Sequence, residues 1–264
     1  MLVTGAKKSR KQMFQRLSDL NGKVAVITGG CGQVGYATAR RLAEQGCRVV
    51  ALVRRDLDSA NIKMQALPGD GHFALLADIT DSATLLSAAQ QVKEQAGHCD
   101  ILINSASITK NVLPSNLDAL TDDMFDNIVT TNLRGVFATI RAFAPMLKET
   151  KDGLIVNISS TSAEGASNSN VAYGCSKAGI NQMTKTLAKA LAPEIRIVAV
   201  TPGFMVEPTS GAVKGPGVNE KMAESSPLKR IGYADDIAST IEACCTHIRF
   251  ATGSIFLIDG GRTV

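Results

Sequence analysis

The sequence has no CxxC pair among its six cysteines (Cys31, Cys47, Cys99, Cys175, Cys244 and Cys245), and its three histidines, His72, His98 and His247, lie far apart. Zinc sites and disulfide frameworks use tighter spacing, so neither is expected and no metal is assigned. No stretch approaches the ~18 consecutive apolar residues of a membrane span. The opening MLVTGAKKSRK also lacks the apolar run of a secretory signal. These absences predict a soluble, cytoplasmic protein without a membrane partner. With Gly 23 and Pro 8 in 264 residues the chain is not low in complexity, and with 45% hydrophobic residues it has enough apolar surface to form a core.

Acidic residues are missing from the first eighteen positions. Lys7, Lys8, Arg10, Lys11 and Arg16 all precede Asp19, and the rest of the chain is near balance, 23 basic residues against 24 acidic. A basic tail can touch nucleic acid, but this one is short and has no sustained amphipathic pattern, so residues 1–21 read as a solvated extension with no nucleic-acid partner. Residues 22–264 read as one domain, since α/β chains of about 250 residues commonly form a single unit.

Within that domain, β-branched runs alternate with helical stretches. The runs are 23–30, 47–53, 72–78, 100–107, 153–160, 195–203 and 254–261. Near-continuous apolar strands need cover on both faces, which predicts a Rossmann-type doubly wound α/β fold, with a parallel sheet of about seven strands and helices on either side. Val34, Ala37, Leu42 and Ala43 give the first helix its apolar side, and Gly46 stops it. Longer helical patterns run near 121–149 and 172–192. Leu133, Val136, Phe137, Ile140 and Phe143 form a stripe broad enough to serve both core and a second subunit. The segment 204–227, broken by Gly211, Gly215, Pro216 and Gly217, is long enough for a substrate lid.

The first strand runs into TGGCGQVG, Thr28 to Gly35, and then a helix. Glycines there let the backbone approach a pyrophosphate at the helix N-terminus, which predicts a dinucleotide site. After the second strand, Val53 stands where a carboxylate would take a ribose 2′-hydroxyl, and Arg54 and Arg55 follow. Arginine suits a 2′-phosphate, so NADP(H) is favoured over NAD(H), although Asp56 and Asp58 close by leave NAD open. Tyr173 and Lys177, four apart on a predicted helix, share one face. An ammonium beside a phenol lowers its pKa from near ~10 toward a useful range for proton transfer.

Taken together, TGxxGxxG at 28–35, Asp78, NSAS at 104–107, Asn132, Ser160, YxxxK at Tyr173 and Lys177, Pro202-Gly203 and IDGG at 258–261 resemble the short-chain dehydrogenase/reductase family. The likeness spans about 22–264 and is to the short, single-domain branch, of the 3-oxoacyl-carrier-protein reductase kind. It implies an NAD(P)-dependent oxidoreductase acting on a small carbonyl/alcohol substrate. By that resemblance Tyr173 is the general acid/base, Ser160 binds the substrate oxygen, Lys177 holds the nicotinamide ribose and tunes Tyr173, and Asn132 holds a relay water. Gly29, Cys31, Gly32, Gln33, Val34 and Gly35 would line the pyrophosphate turn. Asp78 and Ile79 would meet the adenine, with Asn104, Ser105 and Ala106 on the ribose side. Pro202, Gly203 and Met205 would lie by the nicotinamide. Family members commonly pair helices into dimers and tetramers, so a homo-oligomer is expected.

Three departures stand out. The short branch usually reads TGxxxGxG, which would put glycine at 33, where this chain has Gln33 and places Gly32 one residue earlier. TGxxGxxG resembles the extended branch of epimerases and dehydratases, but only 61 residues follow Gly203, too few for that branch's substrate domain. Ser107 replaces a glycine, and Cys31 stands where NADP users often carry a basic residue. Two other readings remain: an epimerase or dehydratase, and a non-catalytic nucleotide-binding sensor or scaffold. Ser162, Ala163, Glu164, Asn168, Asn170 and Phe204 onward form the expected substrate wall, with Lys214 the nearest lid cation and no arginine clamp.

Overall fold

The computed structural model describes residues 19–165, 169–205 and 217–263. Seven parallel strands form one sheet in the order β3-β2-β1-β4-β5-β6-β7. They are β1 (Val24–Thr28), β2 (Arg48–Val53), β3 (Phe73–Leu76), β4 (Ile101–Asn104), β5 (Gly153–Ile158), β6 (Ile195–Pro202) and β7 (Ile255–Ile258). All seven predicted runs are strands, shorter at their ends because the turn chemistry begins there.

The helices are α1 (Gln33–Glu44), α2 (Leu57–Gln65), α3 (Ser82–Ala96), α4 (Asp122–Val129), α5 (Gly135–Glu149), α6 (Val171–Leu191), α7 (Val218–Ser225) and α8 (Ala234–Thr246). Alternate strand residues face opposite layers. Ala25 and Ile27 of β1 pack with Leu42 of α1, Met64 of α2 and Ile241 of α8. Val24 and Val26 pack with Leu85 of α3, Phe143 of α5 and Ile180 of α6. Burial on both faces explains why the strands read as apolar runs without alternation. Arg41 fastens the first layer, bonding Asp235 at 2.7 and 2.6 Å and Glu242 at 2.9 Å across to α8.

The strand order reverses beside β1, which pairs with β2 on one side and β4 on the other. Such a switch point opens a crevice beyond the carboxyl ends of the strands, the usual ligand position in open α/β sheets.

The predicted helix over 121–149 is two helices joined by a π turn at Thr130–Arg134. Periodicity does not reveal the extra residue, because the apolar stripe resumes after it. The stripe also splits: Val136, Ile140 and Phe143 are core, Leu133 is half-buried, and Phe137 is 41% exposed. Of the predicted lid, 206–216 lies outside the described residues, as do 1–18 of the basic extension. No helix among the described residues is long and apolar enough to cross a membrane, and no group of His, Cys, Asp or Glu among them is placed to hold a metal.

Four thiols are buried in the two layers: Cys47, Cys99, Cys244 and Cys245. Burial, with Asp100 adding to it, pushes Cys47 up to about 12, and burial takes Cys244 up to about 11. Cys99 and Cys245 are raised by the same cause. The folded chain therefore keeps these protons at pH values where the unfolded chain, with thiols near 9.0, releases them. Stability is complete below the unfolded value and is lost as the pH rises toward the folded ones. Urea unfolding should show a free energy that falls above about pH 9 by about 1.4 kcal/mol per pH unit per thiol. Cys47→Ala should remove one thiol's share of that slope, and a flat profile in wild type would count against the assignment.

Candidate active site

The turn from β1 into α1 is shaped for close approach of a ligand. Gly29 has φ 64°, and a Cβ there would meet the Ala106 backbone at 3.1 and 3.2 Å. A Cβ on Gly35 would overlap the Gly29 carbonyl oxygen. Gly32 is the N-cap of α1, without a side-chain cap bond and with no acid in the first turn. Val34 and Gly35 follow in the first turn, so N–H groups and the helix dipole are left for an anion. Gln33, where the short branch has glycine, is the first residue of α1 and has helical backbone that needs no glycine. Cys31 is half-buried beside it.

Thr28 joins the two halves of the sheet at the crevice. Its hydroxyl oxygen accepts from the Ser105 and Ala106 amides, both at 3.1 Å. Asn104, 2% exposed, donates to Asn157 at 2.8 Å, and Asn157 donates to Thr184 of α6 at 2.9 Å. The Asn104 Oδ1 and the Thr201 hydroxyl, both buried near strand ends, have no partner among the described residues. Unpartnered buried polar atoms and a cradle that a Cβ would fill fit a bound dinucleotide.

Beyond the end of β3, burial acts to raise Asp78. The Thr80 hydroxyl and amide, at 2.7 and 2.8 Å, together with the charges of Arg54 and Arg134, outweigh it and hold the carboxyl below its usual range. The side chain of Ile79 is buried and touches the Gly135 position of α5. Arg54 and Arg55 are exposed at the end of β2. On the opposite rim Pro202 ends β6, and the Gly203 amide donates to Ile258 at 2.9 Å. A Cβ on Gly203 would meet that of Asp259 at 2.6 Å, and Met205 bridges to Gly232.

Tyr173, Ser160 and Lys177 come together where α6 starts. Ser160 lies near enough to the Tyr173 hydroxyl to favour its ionised form, and Lys177 Nζ lies 5.6 Å from the centre of the tyrosine ring. Lys177 is buried, and its ammonium donates to the Ile158 carbonyl at 2.9 Å. Burial lowers it to about 8. Burial also raises Tyr173, against the opposing pull of Ser160. The expected lowering of Tyr173 by Lys177 is therefore not what sets its value, because desolvation of both groups dominates.

Asn132 sits in the π turn, wholly buried. Its Nδ2 donates to the Ile108 carbonyl at 2.8 Å and to Ser176 Oγ at 3.2 Å, and its Oδ1 accepts from the Ile108 amide at 2.8 Å. Both amide protons are spent, so the side chain clasps the loop after β4. Asn170 makes a second clasp that the sequence reading placed on the substrate wall. It caps α6 by accepting from the Tyr173 amide at 2.8 Å and donates to the Lys110 carbonyl at 2.8 Å. An asparagine just before an apolar helical run is the signal that identifies such a cap. Glu164 is engaged by Asn181 at 2.6 Å, and Ser162 by Ser169 at 3.1 Å. Asn168 and Lys214 lie outside the described residues. Arg230, near Phe204, forks onto Asp236 at 2.7 and 2.8 Å and is not free to clamp a substrate anion.

Residues 32–263 match the family model described as enoyl-(acyl carrier protein) reductase. The 3-oxoacyl-(acyl-carrier-protein) reductase FabG of Thermotoga maritima is 32% identical over 253 residues, covering 93% of this chain and 99% of that protein. Among solved structures, a putative short-chain dehydrogenase/reductase from Burkholderia xenovorans superposes with a TM-score of 0.82 at 32% identity, covering 91% of this chain and 98% of that one. A dehydrogenase/reductase from Sinorhizobium meliloti superposes with a TM-score of 0.85 at 30% identity, covering 96% of this chain and 100% of that one.

Proposed function

The chain belongs to the short-chain dehydrogenase/reductase family as an NAD(P)-dependent oxidoreductase, and from that premise we propose that it reduces a ketone to a secondary alcohol, with NADPH preferred and Tyr173 as proton donor. The observation that carries this reading is the juxtaposition of Tyr173 and Ser160 with the buried Lys177, whose Nζ lies 5.6 Å from the tyrosine ring centre and bonds the Ile158 carbonyl at the end of β5. Gly29, Cys31, Gly32, Gln33, Val34 and Gly35 would hold the pyrophosphate. Asp78 and Ile79 would flank the adenine, Asn104, Ser105 and Ala106 the ribose side, and Pro202, Gly203 and Met205 the nicotinamide. When bound, the reduced nicotinamide supplies hydride.

The residues of the chain do the rest. Burial keeps Tyr173 protonated at neutral pH, the form that can give a proton to a carbonyl oxygen as charge develops there. Ser160 donates to the same oxygen and orients it. Lys177, at about 8, is cationic at neutral pH and favours the phenolate that remains after transfer. Asn132 and Asn170 are positioning residues that hold the loop over 108–110 against α6. The segment leaving β4 carries Leu113 and Leu117, the latter 71% exposed, as an apolar lip. With the relatives' chemistry, this makes 3-oxoacyl thioesters the first substrates to test, with residues 204–227 as the lid and the cytoplasm as the site of action.

Tyr173→Phe should lower reductive turnover by at least ~10²-fold while leaving cofactor affinity nearly unchanged. In wild type kcat/KM should decline above about pH 8 as Lys177 loses its proton. Full activity in the variant, measured by NADPH oxidation across 3-oxoacyl thioesters, sugars and steroids, would sink the mechanism. Substrate conversion without net NADPH oxidation would instead indicate an epimerase or dehydratase.

Arg54 supports NADP(H), because its planar fork suits a phosphate and no carboxylate stands at Val53. A charge-assisted bond of roughly 1.5–3 kcal/mol corresponds to about 10- to 150-fold, and exposure puts Arg54 in the lower half of that range. Arg54→Ala should erase most of the preference seen when both reduced cofactors are titrated by fluorescence.

We also assign the chain to a homo-oligomer, dimer or tetramer, because Met124 and Phe125 of α4 and Phe137 of α5 stay partly exposed on neighbouring helices. Light scattering should give a mass of at least two chains, and a concentration-independent monomer would contradict it.

A further inference from the structure

The glycine turn, Thr28 to Gly35, contains no basic residue of its own. The fold brings a cation there from another element. After β2 the chain reverses at Asp56, whose left-handed backbone (φ 55°) and carboxylate, accepting from the Ser59 amide at 3.2 Å, start α2. That reversal lays α2 alongside the turn. Lys63, in its last turn, donates to the Cys31 carbonyl at 3.4 Å.

The surroundings of the Cys31 thiol agree: after burial, which raises it, Lys63 and Asp56 are the charges that act on it, in opposite directions. Arg54, two residues before Asp56, lies near enough to the end of β3 for its charge to favour ionised Asp78. Among the described residues Arg54, Arg55 and Lys63 form no ion pair, and all three are exposed. An ammonium carries three donors, and one long bond to a carbonyl leaves it free to take a stronger acceptor.

We propose that Lys63 is the second cation for the 2′-phosphate of NADP(H), acting from α2 across the glycine turn from Arg54. The proposal rests on the cofactor reading above and makes α2, with the turn itself, a determinant of cofactor preference. The four-carbon stem lets Nζ swing from the Cys31 carbonyl to a phosphate a short distance away, while NADH, lacking the phosphate, gains nothing. A merely structural Lys63, stapling the turn through Cys31, would support both cofactors equally. The ratio of affinities therefore separates the two roles.

The experiment is a fluorescence titration of NADPH and NADH into wild type, Lys63→Met and Lys63→Arg, with competition by 2′,5′-ADP and 5′-AMP. Lys63→Met should weaken NADPH and 2′,5′-ADP by about 5- to 10-fold and leave NADH and 5′-AMP unchanged, whereas Lys63→Arg keeps the preference. Added salt should shrink the wild-type preference more than that of Lys63→Met. Equal loss for both cofactors in Lys63→Met would show a turn staple and overturn the proposal. A preference intact in Lys63→Met would remove Lys63 while the NADP(H) reading stands. Equal affinities in wild type would overturn that reading, and the role of Lys63 with it.

Discussion

The buried ammonium of Lys177 is the constraint around which the site is arranged. It is 3% exposed, and within the described chain its hydrogen-bond partner is one carbonyl, that of Ile158. An ammonium taken out of water without a carboxylate is costly, and its lowered pKa expresses that cost. The surroundings must therefore be rigid enough to keep it there. Ser159, just past β5, donates to the Lys177 carbonyl at 3.2 Å while Lys177 donates to the Ile158 carbonyl at 2.9 Å, so the end of β5 and α6 are stitched together at the lysine itself, and Ser176 bonds the Tyr173 carbonyl at 2.7 Å within α6.

That stitching continues outward through buried asparagines. Asn132 and Asn170 clasp the loop over 108–110, and Asn157 links Asn104 of β4 to Thr184, seven residues beyond Lys177 on the same helix. The switch-point crevice and α6 are thus fixed to one another by side chains that never reach solvent. Polar networks of this kind are tolerated in a core only when nearly every donor is satisfied. Two of the exceptions among the described residues, Asn104 Oδ1 and the Thr201 hydroxyl, fall at strand ends by the crevice.

The rim follows a different logic. Arg54, Arg55 and Lys63 are exposed and outside ion pairs, whereas Arg41 and Arg230 are bonded to carboxylates. Charges locked in pairs hold α1 to α8 and the 230–236 segment to itself. Arg54 and Arg55 at the end of β2 and Lys63 of α2, exposed and outside ion pairs among the described residues, are available to the anionic cofactor proposed above.

Much of this was legible in the chain. Apolar runs near 23–30 and 153–160 announce strands because both sheet faces are covered, and TGGCGQVG between strand and helix announces the ligand turn because only a backbone without Cβ lets Gly29 press against Ala106. The i,i+4 spacing of Tyr173 and Lys177 likewise places them on one helical face. Tertiary packing alone decided the rest. Whether Tyr173 is raised or lowered depends on desolvation, which no spacing records. The π turn at Asn132 is invisible to a stripe that resumes after it, and Asn170 is a cap because a loop sixty residues earlier in the chain lies against it. Lys63 reaches Cys31 because Asp56 reverses the chain after β2, a contact between residues thirty-two apart that local pattern cannot express.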